Sequence, residues 1–180
     1  AGKYFKIIEI PKFSPGNILK KFKKKLSIGY DPQLFTNSTL KKKFNNNCNL
    51  FPITENLIDK IYKDKKKTLI NPFYSLDDKV SGESTNSKIH RLIKIIKTKK
   101  IDNIFVSAPE NVAWLLNMRG KDSPNSPIPN CKIILTSKKK IFFFSCPKKI
   151  YQIKKNKRYE HFTFCTHKKF PKIIKKLKGN

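Results

Sequence analysis

The side chains of this chain best placed to do chemistry lie in one short run, Trp114-Leu115-Leu116-Asn117-Met118-Arg119-Gly120-Lys121-Asp122. Arg119 and Asp122 flank a Gly-Lys turn and suit two roles. They can form an ion pair that fixes a helix end, with Gly120 supplying backbone freedom, or they can face a cleft and help shape it. Trp114 reads as a core anchor, because Ala113 and Leu116 offer it an apolar surround. Two-metal hydrolysis needs carboxylates and a histidine converging within a few ångströms. Asp31, Asp59, Asp64, Glu83 and Asp122 are scattered, and of His90, His161 and His167 only His161 has an acid, Glu160, beside it. A metal role is therefore not expected. Cys165 and His167 are two apart, so on a strand they share a face. No third group orients them, as a nucleophile pair requires, and a buried thiol beside a surface imidazole is the expectation. The six glycines form neither G-x-G-x-x-G nor a P-loop.

The elements that must position these groups follow from periodicity and punctuation. Tyr4 to Ile10 alternates as a strand. Ser14-Pro15 offers a cap and a first-turn proline for a basic helix over 16–25. Leu26 to Tyr30 is a short strand ended by Asp31-Pro32. A helix is expected over 37–44, broken by Asn45-Asn46-Asn47, then a strand over 49–53. Thr54 can cap a helix to Ile61 with Leu57, Ile58 and Ile61 on one face. Pro72 and the charges of 63–80 disfavour a packed element and read as a linker. Ser84 or Thr85 then caps a helix whose Ile89, Leu92, Ile93 and Ile96 face inward, with Lys88, Arg91 and Lys94 on the solvent side. His90 is also placed in solvent. Residues 102–107 form a strand with Ile104-Phe105-Val106 buried. Pro109-Glu110 starts a helix that runs to Gly120. Cys131 to Thr136 and Ile141 to Ser145 make a hairpin closed by Pro147. Gln152 to Cys165 continues the sheet, and Phe170-Pro171 opens a last basic helix with Ile173, Ile174 and Leu177 inward. Alternating strands and helices indicate α/β layers, and the hairpin makes the sheet mixed.

Four segments carry a family resemblance. Val112 to Asp122, followed by Pro124, is similar to the "AWLLN-x-RG-x-D-x-P" segment of three-domain Xaa-Pro aminopeptidases, with Trp114, Asn117, Arg119, Gly120 and Asp122 as its signature. Ile28-Gly29-Tyr30-Asp31-Pro32 with Leu34 and Thr36 resembles "GYDP-x-L-x-T". Phe51-Pro52 with Glu55 to Tyr62 resembles "VP-x-x-ENLID-x-IW", Tyr62 standing for Trp. Ser81-Gly82-Glu83-Ser84 with Lys88-Ile89 and Arg91-Leu92 resembles "YAGES-x-x-x-KI-x-RL", Val80-Ser81 standing for Tyr-Ala.

The resemblance implies an α/β fold of the creatinase/aminopeptidase P N-terminal type, a mixed β-sheet flanked by helices with a ribonuclease H-like motif. On that basis residues 1–62 are the C-terminal part of a first non-catalytic domain, 63–80 a linker and 81–180 a second creatinase-N-like domain. The family's metallopeptidase domain holds two Asp, one His and two Glu around two divalent, manganese-type metal ions. It needs roughly a further 200 residues, and it is absent here. The intact enzyme would release an N-terminal residue preceding proline. This region would wall its cleft, limit it to short proline-containing peptides, contact the catalytic domain of the same polypeptide and support a homodimer. Alone it should be inactive. A second reading is a free-standing or degenerate creatinase-N-like binding module without peptidase activity.

Composition adds limits. The chain carries 41 Lys+Arg against 12 Asp+Glu, a net charge of +29, which suits polyanions. Lys outnumbers Arg 38 to 3, however, and planar bidentate recognition of phosphate or guanine favours Arg. Abundant Lys, Asn, Ile and Phe fit a drift towards A/T-rich codons, leaving weak, salt-sensitive, non-specific nucleic-acid binding. The four cysteines have no C-x-x-C spacing and read as free thiols. No run approaches membrane-spanning length and no apolar signal region opens the chain, which fits a cytoplasmic protein. Its start at Ala1 fits a fragment or a trimmed chain.

Overall fold

A computed structural model describes residues 2–4, 6–9, 13–44, 47–62 and 70–177. The chain divides into two compact units, residues 1–66 and 67–180.

The first unit is a small β-α-β arrangement. Helix α1 (Pro15–Leu19) starts where expected, its Ser14 cap accepting from Asn17 N at 3.2 Å. It ends five residues after it begins, because the lysines that follow repel at helical spacing and bury nothing. Strand β1 (Leu26–Tyr30) lies parallel to β2 (Cys48–Pro52), with α2 (Asn37–Phe44) between them in sequence. Residues 45 and 46 of the asparagine break, and Phe5 and Ile10 to Lys12, lie outside the described residues. Of the strand expected over 4–10, residues 6–9 pair with nothing in a sheet. Asn56, not Thr54, caps α3 (Leu57–Ile61), accepting from Ile58 N at 2.9 Å. Leu57, Ile58 and Ile61 do share a face, but they are exposed, because the described residues of the unit offer no apolar layer that covers them.

The second unit holds the main sheet. Residues 63–69 of the expected linker lie outside the described residues. The rest of it is built in: Phe73 is buried with its ring edge-on to Phe143, β3 (Tyr74–Ser75) follows, and α4 (Asp78–Ser81) is capped by Asp77. Gly82 ends α4 with φ of 73°, a left-handed conformation suited to glycine. Helix α5 (Thr85–Thr98) is capped by Ser84 and buries Ile89, Ile93 and Ile96. Strand β4 (Asn103–Val106) leads to α6 (Pro109–Leu115), and β5 (Met118–Arg119) pairs antiparallel with β3. The hairpin of β6 (Lys132–Thr136) and β7 (Ile141–Ser145) forms as expected.

Pro147 does more than close that hairpin. It occupies the first turn of α7 (Pro147–Ile153), where its missing N–H costs nothing. The strand expected over 152–165 shrinks to β8 (Thr163–Thr166), which runs parallel to β7 because α7 has carried the chain back. Helix α8 (Phe170–Lys176) completes the unit with Ile173 and Leu177 packed and Ile174 half-exposed.

The sheet order is β4-β6-β7-β8, with antiparallel, antiparallel and parallel pairings. It is the mixed α/β sheet expected. Side chains alternate across it, so Ile141 and Phe143 enter the larger core beneath α5 and α6. Phe142 and Phe144 meet Phe170 and Ile173 on the other side. Every residue of β7 is buried. Phe105 is 44% exposed rather than buried, its ring beside Phe170. No helix among the described residues is long and apolar enough to cross a membrane.

Candidate functional site

The signature run is organised by the end of α6. The helix stops at Leu115, not at Gly120, because Asn117 adopts φ of 49°, the left-handed conformation with which helices commonly end. Leu116 N still reaches back to Val112 O at 2.9 Å, and the chain then runs extended through β5. Val112, Leu115 and Leu116 sit at i, i+3 and i+4 and turn inward. Trp114 falls between them and is 54% exposed, a surface residue rather than the expected core anchor.

Beneath the indole lies Lys88. The expected solvent side for this residue is wrong: Lys88 is 3% exposed. It falls on the stripe Thr85, Lys88, Leu92, which borders the buried isoleucines at helical spacing. Its ammonium donates to Asn117 Oδ1 at 2.6 Å and to Trp114 O at 2.9 Å, and it stands 4.4 Å from the centre of the Trp114 ring. Asn117 passes the link on, donating through Nδ2 to Glu83 O at 2.8 Å and Asp78 Oδ1 at 3.1 Å. Asp78 also holds Arg158 at 3.0 Å, and Glu83 holds Arg91 at 2.8 Å. Burial is the largest influence on Lys88 and lowers its pKa. Glu83 and Asp78 oppose that shift, while Arg119 and Arg91 add to it.

Arg119 and Asp122 do not pair with each other. The Arg119 guanidinium donates through Nη1 to Ala113 O at 3.0 Å and Met118 O at 2.9 Å. Asp122 turns inward, where one carboxylate oxygen binds the Lys149 ammonium and the other accepts from Asn130 N at 2.6 Å. Lys149 is itself buried, 4.7 Å from the centre of the Phe73 ring. Gly120 is required by close approach rather than by backbone freedom: a Cβ there would lie 2.9 Å from Pro129 Cα. In the first unit Asp31 Oδ2 accepts from Asn56 Nδ2 at 2.8 Å, which joins the "GYDP" and "ENLID" segments.

Other candidates separate. Cys165 is buried and its thiol pKa is pushed up by that burial, while burial and then Lys132 lower His167. A thiol shifted upwards is not an activated nucleophile. Cys131 is pushed up to about 12 by burial and by Asp122. All four cysteines are free. His90 is exposed and contacts Asn86 O through Nδ1. Among the described residues no three His, Cys, Asp or Glu come together as a metal site; Asp78, Glu83 and Asp122 are each engaged by a cation. The described residues do not fit a dinuclear metal centre.

Sequence reasoning missed Lys149, Arg158 and Tyr159, whose hydroxyl donates to Leu116 O at 2.9 Å. Their long-range partners lie 27 to 84 residues away, and no local pattern marks them. The Lys88 spacing was the one available signal.

A family profile described as the creatinase/prolidase N-terminal domain matches residues 64–180. A probable Xaa-Pro aminopeptidase P of Colletotrichum graminicola is 33% identical over 116 residues, 61% of this chain and 19% of that protein. Xaa-Pro aminopeptidase app-1 of Caenorhabditis elegans is 33% identical over 105 residues, 56% of this chain and 17% of that protein. The chain thus spans less than a fifth of each relative. A crystal structure of an X-prolyl aminopeptidase from Caenorhabditis elegans, described as a cytosolic enzyme with a di-nuclear active site, superposes with a TM-score of 0.73. It matches at 24% identity, over 87% of this chain and 26% of its own; that likeness bears on fold.

Proposed function

The chain belongs to the creatinase/prolidase N-terminal domain family, and from this membership we propose that it is a non-catalytic N-terminal region of a cytoplasmic Xaa-Pro aminopeptidase. In this reading a further part of the same polypeptide supplies two divalent metal ions and cleaves the bond before proline. The present region walls the cleft, restricts it to short peptides and supports a homodimer. What supports the reading is the junction at Lys88: residues of two resembling segments, Glu83, Lys88 and Arg91 from one and Trp114 and Asn117 from the other, close into a single polar cluster. That cluster gives the resemblance a physical reason, since a buried ammonium needs partners of the right type at the right place.

The test is the mass of the native polypeptide in its source cell, read with an antibody to this region, alongside an assay of the isolated chain. The expected result is a product far larger than 21.0 kDa that cleaves Xaa-Pro peptides with metal, while the isolated 180-residue chain cleaves none. A native product near 21.0 kDa overturns the reading in favour of a free-standing binding module. Metal-dependent cleavage by the isolated chain overturns it in the other direction.

A further inference from the structure

We propose that Arg119 and Tyr74 form a seat for the C-terminal carboxylate of a short peptide, an assignment that rests on the reading of this region as a wall of a peptidase cleft. Tyr74 and Arg119 are direct partners in the antiparallel β3–β5 pair, and directly opposed residues project from the same side. Tyr74 is 43% exposed. The Arg119 guanidinium is held in place by two backbone carbonyls on Nη1, at 3.0 and 2.9 Å. Among the described residues its Nε and Nη2 meet no acceptor.

The contrast with the other two arginines sharpens the point. Arg91 is bound to Glu83 at 2.8 Å, and Arg158 to Asp78 at 3.0 Å and Leu76 O at 2.7 Å. Asp122, the acid nearest Arg119 in sequence, is occupied by Lys149 and Asn130. Among the described residues Arg119 is thus the one anchored arginine with no carboxylate partner. A carboxylate matches that fork, whereas lysines attract anions only as point charges. Tyr74, opposite Arg119 in the pair and exposed, can add a neutral donor from the same side.

Three arginines give three side-chain Nε–Hε signals, so the site can be watched directly in the 15N-labelled 180-residue chain. The probe is Gly-Pro-Pro, titrated at physiological salt against its C-terminal amide. The expected result is a saturable shift of the Arg119 signal with the free acid only, while Arg91 and Arg158 stay still. Arg119→Lys should weaken binding by about tenfold, since the fork is lost, and Tyr74→Phe by about threefold through loss of one hydrogen bond. A silent Arg119, an equal response to the amide, or equal shifts at all three arginines overturns the proposal without recourse to any variant. If Arg119 responds as expected but the native product is near 21.0 kDa, the seat stands and the aminopeptidase reading falls. If the native protein is an active aminopeptidase and Arg119 is silent, the seat alone falls.

Discussion

The two units use the same strands-and-helices vocabulary and differ in what they bury. In residues 67–180 both faces of the central strand β7 are covered, and Phe143 and Phe144 have no exposed surface. In residues 1–66 the described buried hydrophobics are Leu40 and Cys48, whereas Leu34, Phe51, Leu57, Ile58, Ile61 and Tyr62 are 55% to 74% exposed. A hollow of about 340 Å³ between β1 and α3, with Ile28, Leu34, Phe44, Ile53 and Leu57 among its walls, has no lysine among its described lining residues, in a chain with 38 of them. The difference shows that an amphipathic pattern is a demand for a partner layer, not a guarantee of one. Two parallel strands do not meet that demand, and the first unit is expected to be marginal by itself.

The harshest test of the comparison is Phe143→Ala. It should cost about 3–5 kcal/mol in denaturant unfolding of the second unit, and leave amide exchange of β1 and β2 unchanged. Equal loosening of both units would show that they fold as one. Asn117→Ala should cost about 2–3 kcal/mol, because it leaves a buried ammonium short of an acceptor; calorimetry of the second-unit transition reads it.

Lys88 adds a pH dependence whose sign is set by its lowered pKa. The folded state holds fewer protons at this site than the unfolded chain. Its contribution to stability therefore rises with pH from the folded pKa up to the ordinary 10.5 and is flat above it. The difference in Tm between wild type and Lys88→Met should grow in wild type's favour across that window; a constant difference would mean that Lys88 titrates normally. In the first unit, Asn56→Ala removes a cap and the bond to Asp31 and should cost about 1 kcal/mol, visible as faster exchange at α3 with the second-unit transition unmoved. Ile58→Lys should change stability by less than about 0.5 kcal/mol. A larger loss in the same chemical-denaturation experiment would reveal a covered face.

Local signals were the legible ones. Strand 26–30, helix 37–44 and the hairpin at 132–145 follow from period and punctuation within a few residues. The differences have two causes: partners distant in sequence, and the way a helix begins or turns its face. Lys88 looked solvated by residue type, yet its acceptors belong to residues 114 and 117. Trp114 has apolar neighbours in Ala113 and Leu116, yet its helix turns Val112 and Leu115 inward instead. Pro147 closes the hairpin, yet the first-turn logic that applies to Pro15 and Pro109 also starts α7 there. At the candidate site the signature residues were visible, but not their pairing: Arg119 and Asp122 look like partners in a four-residue window, and the fold assigns Asp122 to Lys149 instead.

Trp114 is the chain's single tryptophan, and it rests on the Lys88 ammonium at the surface of the second unit. Its emission is therefore a spectroscopic reporter for one half of the molecule. Opening of the Lys88–Asn117 contact changes the charge against the indole. A tryptophan-fluorescence melt of this chain therefore follows that contact with no label added to the protein.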